Sequence, residues 1–274
     1  MDVPGLLQKY GLHPDRRLGQ NYLVEDTWLR KIVTAAEINP QDTVLEIGAG
    51  IGNLTRYLAQ AARQVVAVEI DARIFPALRD VVAGFGNVHL VQGDILALDP
   101  VGLFPQSLPE REHYLVVANI PYYITSGVIR HLLESDPQPN RMLLTIQREV
   151  ADRICAEAGG LSLLALSVQV YGKPAILGHI PAGAFYPVPK VNSAILLVKL
   201  YSQPRIPQEN LEAFFKLAKA GFSQKRKTLR NALAGGLHRP AVEMEAVLRA
   251  VRIDPQRRAE TLSIEEWGRL VEAC

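Results

Sequence analysis

The sequence has 274 residues but only two cysteines, Cys155 and Cys274, and no group of Cys and His with the spacing of a metal site. Two cysteines cannot form the disulfide framework of a small secreted domain. No apolar run approaches the roughly 20 residues that a membrane-spanning helix needs. Low-complexity tracts and internal repeats are lacking as well. We therefore expect a globular protein without a metal site and without a membrane partner.

The first residues, MDVPGLLQKYGLHPDRR, contain an acid at position two and no long apolar core. This differs from a secretory signal and from an acid-poor, Arg- and Ser-rich transit peptide. With so few cysteines, the expected location is the reducing cytoplasm. No apolar seam suggests self-association, so we expect a monomer.

The net charge of +2 is distributed unevenly along the chain. From Lys199 to the end there are fourteen basic and nine acidic residues, a net +5, so the first 198 residues carry −3. A basic segment beside a mildly acidic body suggests a polyanionic partner. A solvated helical surface is the alternative, and charge alone does not decide between them.

Strand-like and helix-like segments alternate as far as Leu200. The predicted strands are 42–47, 64–69, 88–94, 114–118, 141–146 and 193–200, and the predicted helices are 24–37, 53–62, a helix through Ile74, Leu78 and Val82, 126–134 and 147–157. This order predicts an α/β fold with a doubly wound, mostly parallel, Rossmann-like sheet. After Leu200 the pattern is helical only. We therefore predict a first domain at 1–202 and a small all-α domain at 203–274.

The segment VLEIGAGIGNLT has the pattern of a strand, a glycine loop and a helix. Gly48 and Gly50 permit a tight turn and close approach of a ligand to the backbone. Asn53 occupies the last glycine position of a dinucleotide fingerprint, which disfavours NAD. Glu46 would repel phosphate but could pair with an ammonium or sulfonium group. S-adenosylmethionine has both groups, so the loop favours this cofactor.

Two further acids end the next predicted strands. Glu69 is placed to accept hydrogen bonds from a ribose diol, and Asp94 from an adenine amine. We include the neighbouring Ile70 and Ile95 in the predicted cofactor site. Either acid alone is more often a strand-end cap, but three acids in register with a glycine loop favour the cofactor.

The segment ANIPYYITS (118–126) follows an apolar strand, and its two adjacent tyrosines would be costly to expose on an ordinary loop. Seven other segments are notable: RRLGQNYLVED (16–26), VVAVEID, VQGDIL, FYPVPKVNSAIL (185–196), FSQKRKTLRNAL (222–233), RAETLSIEEW (258–267) and the glycine loop. With these motifs in this order, the chain resembles the rRNA adenine N6-dimethyltransferases, most closely the KsgA/RsmA branch. Tyr22 stands where Phe is commoner in that family.

The resemblance implies an S-adenosylmethionine-dependent methyltransferase that dimethylates two adjacent adenosines near the 3′ end of 16S rRNA in the small ribosomal subunit. A role in small-subunit assembly is also implied. The Asn119 side-chain oxygen and the Ile120 carbonyl would accept the protons of the target amine, and Pro121 would fix the backbone. Tyr122 and Phe185 would stack on the two faces of the extruded base. No general base is expected.

The resemblance also implies that Asn21 and Leu23 cover the cofactor and that Asn119 contacts it. Three alternatives remain open for the aromatic side chains. Tyr122 and Tyr123 could each be core residues that pack against the following helix. Phe185 could belong to a structural turn.

Eight basic residues are predicted to contact RNA phosphates: Arg16, Arg17, Arg148, Lys190, Lys225, Arg226, Lys227 and Arg230. A run of charges such as Lys225, Arg226, Lys227 and Arg230 is usually a solvated face. This run, however, lies in the basic C-terminal segment, which favours phosphate contact. Phosphate contacts would make RNA binding strongly dependent on salt.

Three rival functions remain at this point. One is an Erm-type enzyme that modifies 23S rRNA and confers macrolide resistance. Another is a non-catalytic ribosome-assembly or nucleic-acid-binding factor. The third is a DNA adenine methyltransferase, disfavoured because such enzymes usually have an acid or Ser before Pro-Pro-Tyr.

Overall fold

The computed structural model describes residues 1–104 and 114–274. Within these residues the strands are Tyr22–Leu23 (β1), Thr43–Ile47 (β2), Gln64–Glu69 (β3), Val88–Gln92 (β4), Tyr114–Asn119 (β5), Arg141–Gln147 (β6), Gly172–Ile180 (β7), Phe185–Tyr186 (β8) and Ser193–Leu200 (β9). The α-helices are Val3–Lys9 (α1), Asp26–Ala35 (α2), Thr55–Ala61 (α3), Phe75–Val82 (α4), Thr125–Leu133 (α5), Arg148–Ile154 (α6), Leu163–Gln169 (α7), Leu211–Phe222 (α8), Leu229–Leu237 (α9), Ala241–Ala250 (α10) and Ile264–Glu272 (α11).

Seven strands form one sheet in the order β4-β3-β2-β5-β6-β9-β7. The pairs from β4 to β6 are parallel, and β9 runs antiparallel to β6. Strands β2, β3 and β5 are buried along almost their whole length, as expected when helices cover both faces of a parallel sheet. The chain reverses its direction of travel across the sheet between β2 and β5, where ligands of such folds bind.

Strands β1, β7 and β8 and helix α1 were not predicted from the sequence. The short strands β1 and β8 pair with each other, with Tyr22 opposite Tyr186 and Leu23 opposite Phe185. β7 lies at the edge of the large sheet, and its alternation is weak because most of its residues are only partly buried or exposed. Helix α1 begins with the Asp2 side chain capping Gly5.

The chain folds into two compact units. The first unit comprises Met1–Ala151 and Ala175–Leu200, and the second comprises Asp152–Pro174 and Tyr201–Cys274. The second unit therefore includes a segment that the sequence assigned to the first domain. The functional division at 202/203 stays a prediction.

The segment 152–174 joins the second unit through backbone and aromatic contacts. The Gly159 and Leu161 amides both donate to the Glu260 carbonyl, at 2.9 and 3.2 Å. The Tyr171 ring lies 6.3 Å from the Phe215 ring in a stacked arrangement. These contacts are non-local, which explains why the local pattern did not reveal them.

Beyond Leu200 the part of the chain that the structure describes is helical, as predicted. Helices α8 and α9 approach closely at Gly236, which has no Cβ atom. A Cβ atom there would lie only 2.6 Å from Ala220. The fully buried Trp267 of α11 stacks on Phe222 at 6.0 Å. Ser263 and Glu266 form a capping box that begins α11.

Candidate functional site

A cavity of about 260 Å³ lies in the first unit, beyond the carboxyl ends of β2, β3, β4 and β5. Its walls include twelve of the predicted site residues: Asn21, Gly48, Gly50, Glu69, Ile70, Asp94, Ile95, Asn119, Ile120, Pro121, Tyr122 and Phe185. Strand ends that are far apart in the sequence meet here because parallel strands end at one edge of the sheet. Two predicted residues, Leu23 and Glu46, are not part of the cavity wall.

The glycine loop after β2 brings backbone to the cavity surface. Gly50 has a φ of +57°, and a Cβ atom there would lie 2.9 Å from the Tyr22 ring. A side chain at this position would therefore be strained and would collide with Tyr22. The Gly50 amide donates to the Glu69 Oε2 atom at 2.8 Å, which fixes the loop against the end of β3.

Glu69 is buried, and backbone amides hold both of its carboxylate oxygens. Gly50 donates to Oε2, and the Asp71 amide donates to Oε1 at 2.9 Å. Burial raises the pKa of Glu69, while these hydrogen bonds oppose the shift. Each carboxylate oxygen can accept more than one hydrogen bond, so Glu69 keeps acceptor capacity toward the cavity.

Asp94 is exposed and has a capping role in addition to its place in the cavity wall. Its Oδ1 atom accepts from the Leu96 amide at 3.0 Å. The cap and the cofactor interpretations are therefore compatible for Asp94. Ile70 is 44% exposed and Ile95 is buried, and both supply apolar wall near the two acids.

Glu46 does not reach the cavity, contrary to its expected contact with the cofactor. Its side chain is 1% exposed and packs near Thr55 at the start of α3. Its Oε2 atom has no hydrogen-bond partner among the described residues. Burial raises the pKa of Glu46 from 4.5 to about 8; the Thr55 hydroxyl opposes this rise and the nearby Glu69 adds to it.

Leu23 is also outside the cavity, because its side chain belongs to the core. Its carbonyl oxygen accepts from the Asn53 Nδ2 atom at 2.7 Å. This bond ties the N-terminal segment to the residue that replaces the last glycine of a dinucleotide loop. Leu23 thus supports the position of the segment that includes Asn21.

Asn119 is the last residue of β5, and its side-chain amide is oriented by the N-terminal segment. Its Nδ2 atom donates to the Asn21 carbonyl oxygen at 3.1 Å. A carbonyl can only accept, so the nitrogen must face Asn21. No donor to Asn119 Oδ1 is found among the described residues, and this oxygen remains available for a ligand.

The residues after Asn119 hold the backbone in place. Ile120 is 2% exposed, and its amide donates to the Thr145 carbonyl at 3.2 Å. Pro121 has a φ of −54° and precedes a short 3₁₀ turn. The turn presents the rings of Tyr122 and Tyr123 at the cavity.

The three aromatic residues of the site differ in their surroundings. Tyr122 is partly buried, and its hydroxyl is 2.7 Å from the Ser193 Oγ atom. Phe185 is 2% exposed and contributes to the same cavity wall. Tyr123 is 59% exposed, so its interpretation as a core residue is wrong. The fixed turn after Pro121 directs its side chain outward at the cavity edge.

Gln20 and Tyr22 are among the residues of the cavity wall that were not predicted from the sequence. Both belong to the family-like segment RRLGQNYLVED (16–26), in which only Asn21 and Leu23 were expected to cover the cofactor. The Tyr22 hydroxyl is buried and unpaired among the described residues. Burial raises its pKa above the usual range for tyrosine, and the nearby carboxylates of Glu69 and Asp71 add to the effect.

Comparison with known proteins decides the family. The model of the family described as ribosomal RNA adenine dimethylase matches residues 13–273. The chain belongs to this family. A Dehalococcoides mccartyi protein named ribosomal RNA small subunit methyltransferase A is 43% identical over 265 residues, which cover 97% of this chain and 90% of that protein. An Enterococcus faecalis protein of the same name is 42% identical, covering 98% and 92%.

Solved structures support the same fold for this rRNA adenine dimethylase family member. The 23S rRNA methyltransferase ErmE has a TM-score of 0.72 at 29% identity, covering 92% of this chain and 98% of ErmE. A dimethyladenosine transferase from Plasmodium falciparum has a TM-score of 0.73 at 27% identity, covering 91% and 95%. The predicted family, fold class and class of enzyme are confirmed.

The cavity of this dimethylase fits S-adenosylmethionine, the methyl donor that the family and fold imply. Its wall contains the carboxylates of Glu69 and Asp94 and, among the described residues, no Lys or Arg. Such a wall suits a cationic sulfonium compound. The described residues contain no group of three or more His, Cys, Asp or Glu side chains suited to a metal ion.

Seven of the eight basic residues predicted to contact RNA are exposed. In the first unit Arg16, Arg17, Arg148 and Lys190 are exposed. Arg17 pairs with Asp15 at 3.1 Å.

In the second unit Lys225, Arg226 and Lys227 are exposed in the turn before α9. Arg230 instead pairs with Glu245 at 2.7 Å, so part of its donor capacity is already used.

No helix in the described part of the chain has the length and apolarity needed to cross a membrane.

Proposed function

We propose that this protein transfers methyl groups from S-adenosylmethionine to the exocyclic amines of two adjacent adenosines near the 3′ end of 16S rRNA in the small ribosomal subunit. Relatives with 37–44% identity are named ribosomal RNA small subunit methyltransferase A. The observation that best supports catalysis is the hydrogen bond from Asn119 Nδ2 to the Asn21 carbonyl. It leaves the Asn119 oxygen as the acceptor beside the cavity.

The cofactor would lie against the glycine loop. Glu69 would accept from the ribose hydroxyls and Asp94 from the adenine amine, with Ile70 and Ile95 against the adenine. Asn21 would cover the cofactor beside Asn119. When bound, S-adenosylmethionine supplies a methyl group that its positive sulfur has already made electrophilic.

The residues of this chain then have to prepare the adenine amine. The nitrogen lone pair is delocalised into the purine, which makes the amine a poor nucleophile. Hydrogen bonds to the Asn119 oxygen and the Ile120 carbonyl would favour a pyramidal nitrogen with a localised lone pair. This role requires orientation and fixed dipoles, and it needs no general base.

The aromatic residues would hold the base in this position. An adenine must leave the helical stack before an enzyme can reach its amine. The Tyr122 ring, fixed through its hydroxyl to Ser193, would stack on one face and Phe185 on the other. Stacking of this kind contributes about 1–3 kcal/mol per base.

The RNA backbone would be bound by exposed basic residues, with Lys225, Arg226 and Lys227 as the densest group. Arg230 contributes less in this proposal because Glu245 already neutralises it. A cytoplasmic location, a monomeric state and an assembly role stay predictions.

A second candidate is modification of 23S rRNA, since the named 23S rRNA methyltransferase ErmE shares 29% identity with this chain. The small-subunit relatives are more similar and match nearly the full chain, which favours the first proposal. The intact Asn119, Pro121 and Tyr122 argue against a factor that has lost catalysis.

The test is transfer of labelled methyl from S-adenosylmethionine to small subunits, large subunits and a DNA duplex, all lacking dimethyladenosine. Nuclease fragments are then analysed by mass spectrometry. We expect dimethyladenosine near the 3′ end of small-subunit rRNA. Label in large-subunit rRNA would support the ErmE-like activity, and retained cofactor binding without any label would support a binding factor.

A further inference from the structure

The N-terminal segment is held beside the cavity by a side chain with no role in the proposed reaction. Gln20 uses both ends of its amide. Its Oε1 atom accepts from the Asp15 backbone amide at 2.7 Å, and its Nε2 atom donates to Asp71 Oδ2 at 2.9 Å. The assignment is chemically fixed, because a backbone N–H can only donate and a carboxylate can only accept.

Asp71 lies two residues after the end of β3 and is itself firmly held. Arg73 donates to both of its carboxylate oxygens, at 2.8 and 2.7 Å, and this ion pair lowers the pKa of Asp71. The Asp71 backbone amide donates to Glu69. Asp71 is 7% exposed, so its acceptor position is well defined.

Gln20 is followed directly by Asn21. The Asn21 carbonyl oxygen accepts a hydrogen bond from the Asn119 Nδ2 atom. The Asn21 side chain donates to the Gly19 carbonyl at 3.1 Å and closes the turn. Hydrogen bonds at Glu69, Asp71 and Gln20, together with the covalent backbone between Gln20 and Asn21, therefore connect Glu69 with the carbonyl that orients Asn119.

We propose that the Gln20–Asp71 hydrogen bond positions the Asn21 carbonyl and thereby aims the Asn119 oxygen at the adenine amine. Gln20 and Asp71 are positioning residues in this scheme, since neither needs to touch the reacting atoms. This inference rests on the proposed function of Asn119. It also connects the proposed ribose acceptor, Glu69, with the proposed amine acceptor.

The deciding variant is Gln20→Glu, which keeps the size and the acceptor for Asp15 but replaces the donor to Asp71 with a second carboxylate. Displacement of a catalytic group by about 1 Å can lower a rate by roughly a hundredfold. We expect kcat for methyl transfer to small subunits to fall by about tenfold or more. The KM for the subunit should change by less than about threefold.

The double variant Gln20→Glu/Asp71→Asn restores a donor and an acceptor with the direction of the bond reversed. Asp71→Asn alone measures the loss of the Arg73 ion pair. We expect the double variant to regain kcat to within about threefold of Asp71→Asn. No recovery in a double variant that melts at the temperature of Asp71→Asn would overturn the proposal, as would an unchanged kcat for Gln20→Glu.

A second readout does not depend on activity. The side-chain amide resonances of Asn119, identified by their absence in Asn119→Ala, should shift in Gln20→Glu and return in the double variant. Resonances that stay unchanged in Gln20→Glu would contradict the proposed coupling. If the wild-type protein transferred no methyl group to any substrate, the proposed function would fail, while the resonances would still test the hydrogen-bond series.

Discussion

The burial of Glu46 predicts that its side chain makes the protein less stable as the pH rises. The Glu46→Gln variant should lack this contribution. With a pKa near 8 in the folded protein and 4.5 as its usual value, Glu46 is protonated in the native state and ionised in the unfolded chain between these two values. The native state then binds more protons, so its free energy of unfolding falls as the pH rises. Each pH unit in this window removes about 1.4 kcal/mol, or roughly 3 kcal/mol over two units.

The assay measures the free energy of unfolding in urea at about pH 5 and at about pH 7. It compares the protein with Glu46 intact and the Glu46→Gln variant. A Trp267→Phe background leaves Trp28, in the first unit, as the only fluorescent tryptophan. The free energy of unfolding should fall by about 2–3 kcal/mol more with Glu46 intact than in Glu46→Gln. The exposed Glu25→Gln is the control and should keep the wild-type pH dependence. Equal slopes with Glu46 intact and in Glu46→Gln would refute a buried, protonated carboxyl.

Three further predictions concern the ligands. Glu69→Ala should weaken S-adenosylmethionine binding in calorimetry by tenfold or more, on the order of 1.4 kcal/mol, and an unchanged affinity would remove Glu69 from the site. Tyr122→Ala should lower methyl transfer by about tenfold or more while cofactor affinity is kept, because stacking on the base is lost; full activity would exclude stacking. Changing Lys225, Arg226 and Lys227 to Ala should weaken RNA binding and flatten its salt dependence, whereas an unchanged slope would mean a solvated face.

The sequence predicted the features that depend on local pattern. The alternation of apolar strands and helices identified the central sheet, and the glycine loop and strand-end residues Glu69 and Asn119 were correctly expected at one edge. Parallel strands make this inference safe, since the direction of each strand determines where its last residue lies. The prediction that Tyr122 and Phe185 lie at the same site came from the family motifs and not from the periodicity of the sequence.

The features that the sequence left undetermined depend on contacts between distant segments. The Glu46 side chain is buried and does not reach the cavity, although its position beside the glycine loop suggested a ligand contact. Tyr123 is exposed because the turn after Pro121 sets its direction. The pairing of Gln20 with Asp71 spans 51 positions, and no local pattern could have revealed it.

The most direct test of the proposed mechanism is a single-turnover measurement of methyl transfer to small subunits by Asn119→Ala, with cofactor affinity measured in parallel. The proposal predicts a rate reduced by at least about a hundredfold, as for other lost transition-state hydrogen bonds. The cofactor affinity should change by only a few fold, because Glu69 and Asp94 remain in place. A near-normal rate would contradict the role of the Asn119 oxygen as the acceptor for the adenine amine.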